Sequence, residues 1–448
     1  MILLFILLFI FLILIGTPLF IVIASIGGAC FYFSGSDLTS SAAAMVGEIY
    51  KLATAPVLLT IPLFTFAGFI LAEGGAPKRI VRLARALLGW MPGGIAVVAL
   101  ITCAFFTAFT GASGATIIAL GGLLYPILQE DRYPEKFDLG LISTCGSLGL
   151  LFPPSVPLIL YGIIAETNID DLFLAGMVPG FLLIVLLSLY SGKKALSFNV
   201  KRDKFSLQEV ISACRGAMLD IPLPLIILLG IYGVGGWFRF TVTEASAVTA
   251  LYVFVIEVLI FREVSITKDL PRIVRESMLL VGGILIILAS ALGLTNYFVD
   301  AQIPTRIFEF LSPYILNKWI FLFVLNIFLL IVGCLMDIFS ATIVVVPLIL
   351  PIAKQFDINP LHLGIIFLTN LEIGYITPPV GINLFISSFR FKKPILSIYK
   401  ACVPFLLVLL FALLIITYVP DLSLGLLKLM GKYILSFSCH PEPFLLSS

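Results

Sequence analysis

Two carboxylates stand inside long apolar runs, Asp337 in Leu335-Met-Asp-Ile-Phe339 and Glu372 in Asn370-Leu-Glu-Ile-Gly374. A charge at bilayer depth is costly, so each is a functional candidate, with a structural hydrogen-bond acceptor as the alternative. Two further segments in apolar runs hold double prolines, Gly149-Leu-Leu-Phe-Pro-Pro154 and Gly374-Tyr-Ile-Thr-Pro-Pro379. A proline inside a helix removes a backbone hydrogen bond and clashes with the preceding turn, at about 3 kcal/mol or more. Two in succession should unwind the helix and free carbonyls that lipid cannot satisfy, and an ion is their natural partner. Small and hydroxyl-bearing tracts complete the set: Thr110-Gly-Ala-Ser-Gly-Ala-Thr116 and Asp337-Ile-Phe-Ser-Ala-Thr342. There Ser113, Gly114 and Thr116, and in the second tract Ser340 and Thr342, fall where N–H groups of short helices could face a carboxylate. Small residues alone more often mark close helix packing; their pairing with broken helices favours a site.

Other chemistry finds little support. No GxSxG, HExxH, Walker or CxxC motif is present, which leaves hydrolysis, ATP use and redox chemistry without a sequence basis. Most of the seven cysteines lie in apolar runs, where cysteine acts as a small hydrophobe. His362 and His440 have no metal or catalytic partner nearby and are expected to be solvated or capping residues. A net charge of +2, with the basic residues dispersed, excludes nucleic acid as a partner.

The elements that must position these residues are membrane helices. The 448 residues are 60% hydrophobic and 12% charged, with a mean hydropathy of +1.17, whereas soluble domains carry about 25% charged residues. Apolar runs over 93–127 and 318–352 are too long for single spans of about 20 residues and break at the two polar tracts, so both are expected to be re-entrant hairpins. An ordered series of matches near an offset of 225 relates the halves: Gly68 to Gly293, Thr116 to Thr342, Pro126 to Pro351, and Gly149 through Pro154 to Gly374 through Pro379. Equivalent loops carry opposite charge bias. Lys78, Arg79, Arg82 and Arg85 face Arg306 and Glu309 in the counterpart loop, while Glu166, Asp170 and Asp171 face Arg390, Lys392, Lys393 and Lys400. Because cytoplasmic loops are rich in Lys and Arg, the halves read as inverted. The acidic loop 128–138 fits that scheme poorly, but acidic residues count little in the rule.

The fold class expected is therefore an all-α polytopic membrane protein of two inverted repeats, each with a hairpin and a broken helix. Its divisions are N-terminal membrane helices over 1–51, a first repeat over 52–190 with hairpin 93–127 and broken helix 139–162, and a basic cytoplasmic connecting loop over 191–216. A second repeat follows over 217–400, with hairpin 318–352 and broken helix 363–389, then a C-terminal membrane helix and tail over 401–448. The run 2–15 lacks a basic flank and is expected to be a retained helix.

At these residues the chain resembles the large membrane subunit of the tripartite ATP-independent periplasmic (TRAP) transporters. The likeness covers nearly the whole chain. It is most specific from Thr110 through Gly146-Ser-Leu-Gly-Leu-Leu-Phe-Pro-Pro-Ser155 and from Met336-Asp337 through Asn370-Leu-Glu-Ile-Gly-Tyr-Ile-Thr-Pro-Pro-Val-Gly381, with Glu244 in a Thr-Glu-Ala element. The resemblance implies an elevator-type permease of the bacterial inner membrane that takes up a small organic carboxylate, such as a C4-dicarboxylate or sialic acid, with co-transported sodium ions. It also implies a small four-helix membrane subunit and a periplasmic substrate-binding protein as partners, in contact with membrane lipid. Sodium ligands carried over from the family are Ser113, Gly146, Ser147, Pro153 and Ser155 in one half and Thr342, Gly374, Thr377 and Pro378 in the other. The substrate set is Ser113, Gly114, Thr116, Ser155, Asp337 and Ser340. A stand-alone sodium-coupled carboxylate transporter is the alternative. An intramembrane enzyme would need more acid, base or metal groups, and a scaffold has no use for paired breaks.

Overall fold

A computed structural model describes residues 17–33, 46–47, 50, 54–198, 200–201, 203–233, 239–311, 315 and 317–431. The run 2–15, Arg202 and the tail beyond 431 with Cys439 and His440 lie outside the described residues. Among those described, every regular element is helical, and seven helices are long and apolar enough to cross a membrane, or eight if a bent pair counts as one span.

The chain runs α1 (Leu19–Phe33), a 3-10 turn at Pro56–Leu59, α2 (Thr60–Glu73), α3 (Ala76–Leu88), α4 (Gly94–Thr110), α5 (Ser113–Glu130) and α6 (Glu135–Cys145). A 3-10 turn at Leu148–Leu151 leads to α7 (Val156–Ile164), α8 (Ile169–Phe198), α9 (Leu207–Gly216), α10 (Pro222–Tyr232), α11 (Val242–Phe254), α12 (Asp269–Asp300) and α13 (Ile303–Leu311). The last elements are α14 (Lys318–Leu335), α15 (Ile338–Gln355), α16 (Pro360–Gly374), α17 (Ile382–Phe391), α18 (Ile395–Tyr418) and α19 (Asp421–Leu429). The two hairpins are thus α4–α5 and α14–α15, each turning over two residues, and the two broken helices are α6–α7, bent by 46°, and α16–α17. Both Pro-Pro peptide bonds, Pro153-Pro154 and Pro378-Pro379, are cis.

The halves interlock. Each hairpin's first arm packs on its own half's broken helix, α4 on the 3-10 turn and α14 on α16, while the second arm reaches the other half: α5 lies along α17, and α15 along α7. Glycine permits the close approaches. A Cβ on Gly149 would strike the α4 backbone at Ala104 and Ala108, and one on Gly374 would come within 2.5 Å of the Gly333 carbonyl carbon of α14.

Ion pairs gather loops onto one face. Arg85 binds Asp203 at 2.7 Å and Asp131 at 3.6 Å, the Lys201 amide donates to the Asp131 carbonyl at 3.2 Å, and Lys393 pairs with Glu135. The acidic loop 128–138 therefore sits with the basic segments because its carboxylates bind their side chains. Arg79 anchors the amphipathic helix α3 in the same region, with its Nε 2.6 Å from Asp220 and further pairs to Glu257 and Glu263. Burial works against its charge, but the hydrogen bond and attraction from Asp220, with those from Glu257, outweigh it and raise its pKa above the usual arginine value. On the opposite face the Tyr161 hydroxyl donates to the Pro360 carbonyl and that of Tyr232 to the Asp170 carbonyl, both at 2.7 Å.

Two expectations change. Much of the segment 191–216 is helix, since α8 continues to Phe198 and Ser206 caps α9 by accepting from the Glu209 amide at 3.4 Å; lysine is a good helix former, and Lys193 and Lys194 simply extend α8. His362 is buried, its ring nitrogens 3.2 Å from Ser423 Oγ and from the Thr417 carbonyl, so it ties α16 to the α18–α19 end instead of meeting solvent. Glu244 closes a capping box with Thr241 at the start of α11.

Placing 201 and 168 on opposite faces gives a direct expectation: in a background lacking reactive native cysteines, a cysteine at 168 is labelled from outside and one at 201 is not. The reverse pattern would overturn the topology.

Candidate functional site

The α4–α5 tip stops inside the protein because Gly111, at φ 62°, turns the chain left-handed, a conformation open to glycine at little cost. It touches α7, where a Cβ on Gly111 would lie 2.9 Å from Val156 Cβ. Behind the tip, Thr107 Oγ1 is 2.8 Å from both Thr116 Oγ1 and the Gly146 carbonyl, and Thr110 Oγ1 is 3.5 Å from Thr116 Oγ1. Four neutral oxygens thus converge from the hairpin and the first break, all in buried residues. Thr107 can donate to the Gly146 carbonyl while accepting from Thr116, and neutral, dehydrated oxygens of this kind also suit a small hard cation.

At the tip itself Ser113 Oγ donates to Asn383 Oδ1 at 2.7 Å. Asn383 Nδ2 donates to the Ser143 carbonyl at 3.3 Å, and the Ser143 and Ser387 hydroxyls are 2.7 Å apart. This ladder joins α5 and α6 of one half to α17 of the other. Ser155, wholly buried at the start of α7, has a hydroxyl with no hydrogen-bond partner among the described residues. Gly114 serves packing: a Cβ there would lie 2.5 Å from Ile386 Cδ1.

The two hairpin tips differ in their free donors. Helix α5 has Ala112 at its N-cap and no side-chain cap, leaving the Ser113, Gly114 and Ala115 amides without partners among the described residues. In α15 the first three amides are taken: Ile338 N donates to Tyr375 Oη at 2.6 Å, and Phe339 and Ser340 N donate to Asp337 Oδ2 at 3.0 and 2.9 Å. Asp337 is therefore a helix cap, and its negative charge occupies the place expected for a substrate carboxylate. Thr342 and Thr377 likewise do not meet. Thr342 Oγ1 donates to the Ile338 carbonyl at 2.5 Å and Thr377 Oγ1 to the Ile373 carbonyl at 2.8 Å, each within its own segment. Ser147 donates to the Thr144 carbonyl at 3.4 Å, Pro153 lines an apolar cavity, and Pro378 is exposed.

Glu372 is wholly buried with neither carboxylate oxygen hydrogen-bonded among the described residues, so its ionised form would need a cation beside it. Thr107, Thr110, Ser143, Asn383 and Ser387 are the polar positions that sequence reasoning missed. Asn383 and Ser387 sit four apart beyond the second Pro-Pro, on one face of a helix. Among the described residues no three His, Cys, Asp or Glu side chains group as ligands for a metal ion.

Hairpins and breaks of two interlocked halves, meeting in a buried polar cluster within a bundle of membrane-spanning helices, define a polytopic membrane transporter. Residues 6–422 match the family model described as tripartite ATP-independent periplasmic transporter, DctM component, and the chain belongs to that family, one of transporters, not enzymes. It is 36% identical over 376 residues to the C4-dicarboxylate TRAP transporter large permease protein DctM of Pseudomonas aeruginosa, covering 84% of this chain and 87% of the relative. It is 34% identical over 370 residues to the isethionate TRAP transporter permease protein DctMQ of Oleidesulfovibrio alaskensis, covering 82% and 57%. With the ectoine/5-hydroxyectoine large permease UehC of Ruegeria pomeroyi it shares 31% over 371 residues, covering 82% and 85%. The crystal structure of the Alcanivorax borkumensis YdaH transporter, described as having an unusual topology, shares the fold at a TM-score of 0.60 with 15% identity, covering 86% of this chain and 87% of that one.

If Asp337 acts as a cap, Asp337→Asn, which can still accept from Phe339 and Ser340, keeps thermal stability close to the parent's. Asp337→Ala loses about 1 kcal/mol. Equal losses in the two variants would contradict the capping role.

Proposed function

We propose that this chain is the large permease subunit of a sodium-coupled uptake system for a small organic carboxylate. It works in the bacterial inner membrane with a small four-helix membrane subunit and receives its substrate from a periplasmic binding protein. Among the relatives, C4-dicarboxylate names recur and one relative carries the name DctMQ as a single permease. The observation that carries the reading is the juxtaposition at the first hairpin of a neutral oxygen cluster and an uncapped helix start.

Sodium sits among Thr107, Thr116 and the Gly146 carbonyl. There it takes the place of the hydrogen bonds among these oxygens, and it ties the hairpin to the broken helix. The substrate carboxylate binds on the other side of the tip, at the Ser113, Gly114 and Ala115 amides, where the positive end of α5 favours an anion, with the Ser155 hydroxyl as a further donor. Coupling follows from shared structure: the ion fixes the tip whose amides the carboxylate uses, so each favours the other's binding and the effect is reciprocal. The capped second tip contributes closure of the site, and Asp337 keeps a second anion from settling there.

Uptake by the reconstituted complex is expected to follow an imposed sodium gradient without ATP; uptake unchanged when that gradient is removed would refute the coupling. Thr107→Val keeps shape and loses one oxygen, worth about 1.4 kcal/mol and so roughly a tenfold rise in the half-saturating sodium concentration. An unchanged half-saturation in a variant that folds normally would place the ion elsewhere.

A further inference from the structure

An apolar cavity of about 750 Å³ lies between α4, the break at Phe152-Pro153, α8 and α10. Apart from Ser188 and Lys193 its walls are apolar. Its inner end rests on Phe109 and Phe152, beside the hairpin tip and the first break, and its outer end opens at Lys193 near the end of α8. Phe181, Val185 and Leu189, half or more exposed, line it from the α8 side, so the cavity faces the surrounding membrane.

Size and charge select the occupant. A transmembrane helix, about 10 Å across with its side chains, would need facing ridges and grooves to seat it. A single extended acyl chain is slimmer and needs only an apolar wall. From Phe181 to Lys193 is 12 residues of α8, about 18 Å at 1.5 Å per residue, which is close to one leaflet's depth of hydrocarbon. Lys193 at the mouth is exposed and makes no ion pair among the described residues, and the neighbouring Lys194 is likewise unpaired. Basic groups at the cytoplasmic ends of membrane helices attract anionic lipid heads at about 1 kcal/mol each.

We propose that this cavity is a binding site for an anionic phospholipid of the cytoplasmic leaflet, with one acyl chain between α4 and α8 and the headgroup phosphate at Lys193. The chain end then lies against the outer surface of α4, the helix whose opposite side supplies Thr107 to the oxygen cluster, so the lipid buttresses the first hairpin from behind. The site depends on shape and charge, and its failure would leave the sodium reading standing.

The test uses the purified transporter complex in nanodiscs containing a phosphatidylglycerol analogue with a photo-reactive group at the acyl end, or the matching phosphatidylcholine analogue. Labelling is expected in peptides containing Phe109 or Phe152. Lys193→Glu should lower phosphatidylglycerol labelling by at least about fivefold with little change for phosphatidylcholine. Val185→Trp, which fills the cavity, should abolish labelling by both lipids in protein whose melting temperature stays near the parent's. As a check that does not depend on a filling variant, a photo-reactive amino acid at position 185 should capture phospholipid. Capture of the small membrane subunit there, or labelling unchanged in both variants, would overturn the proposal.

Discussion

Backbone that stops being helical inside a membrane must find partners within the protein, because hydrocarbon offers none. That constraint organises this molecule. Both halves end a helix at mid-depth before a double proline, and in both the freed groups are covered by a hairpin from the same half whose second arm crosses to the other. Gly149 and Gly374 make the coverage possible by letting helix α4 and helix α14 approach the broken segments closely. Interlocking follows from the same need: a half alone would leave its post-break helix unpacked on the side that the other half's hairpin fills.

The halves share this plan and then diverge at their tips. The second tip is satisfied from within, by Asp337 and the Tyr375 hydroxyl, and its threonines bond inside their own segments. The first keeps open amides, a cluster of neutral oxygens shared with the first break, and a buried Ser155 hydroxyl without a partner among the described residues. Open amides at a helix start favour an anion, so the first tip is the one at which a ligand gains most by binding. An internal repeat in this way yields asymmetric tips: one hairpin is finished as structure, and the other keeps the open groups at which we propose that cargo binds.

Much of the architecture was legible in the sequence because proline and glycine act locally. The double prolines and the polar tracts 110–116 and 337–342 fall where the helices stop or restart, and the 225-residue offset aligns Gly149 with Gly374, which do the same packing task. The acidic loop 128–138 departs from the loop-charge scheme, and the Arg85 pairs with Asp131 and Asp203 show why it nonetheless lies beside the basic segments. The polar contents of the site were less accessible. Asn383 is 270 positions from Ser113 and meets it only through the crossing of the halves. Thr107 sits inside an apolar helix, where a lone threonine reads as packing. Asp337 stands out in the sequence as an intramembrane carboxylate, and only the fold shows it accepting from the Phe339 and Ser340 amides as a cap of α15.

The central claim is that a cation completes the oxygen cluster shared by the first hairpin and the first break. The most direct measurement is a high-resolution structure of the full complex in sodium and again in a sodium-free medium containing a bulky organic cation. The account predicts spherical density among Thr107 Oγ1, Thr116 Oγ1 and the Gly146 carbonyl that is present in the first and lost in the second, with the hairpin tip less ordered when it is lost. Density absent from this cluster in sodium, with the three oxygens still hydrogen-bonded to one another, would contradict it.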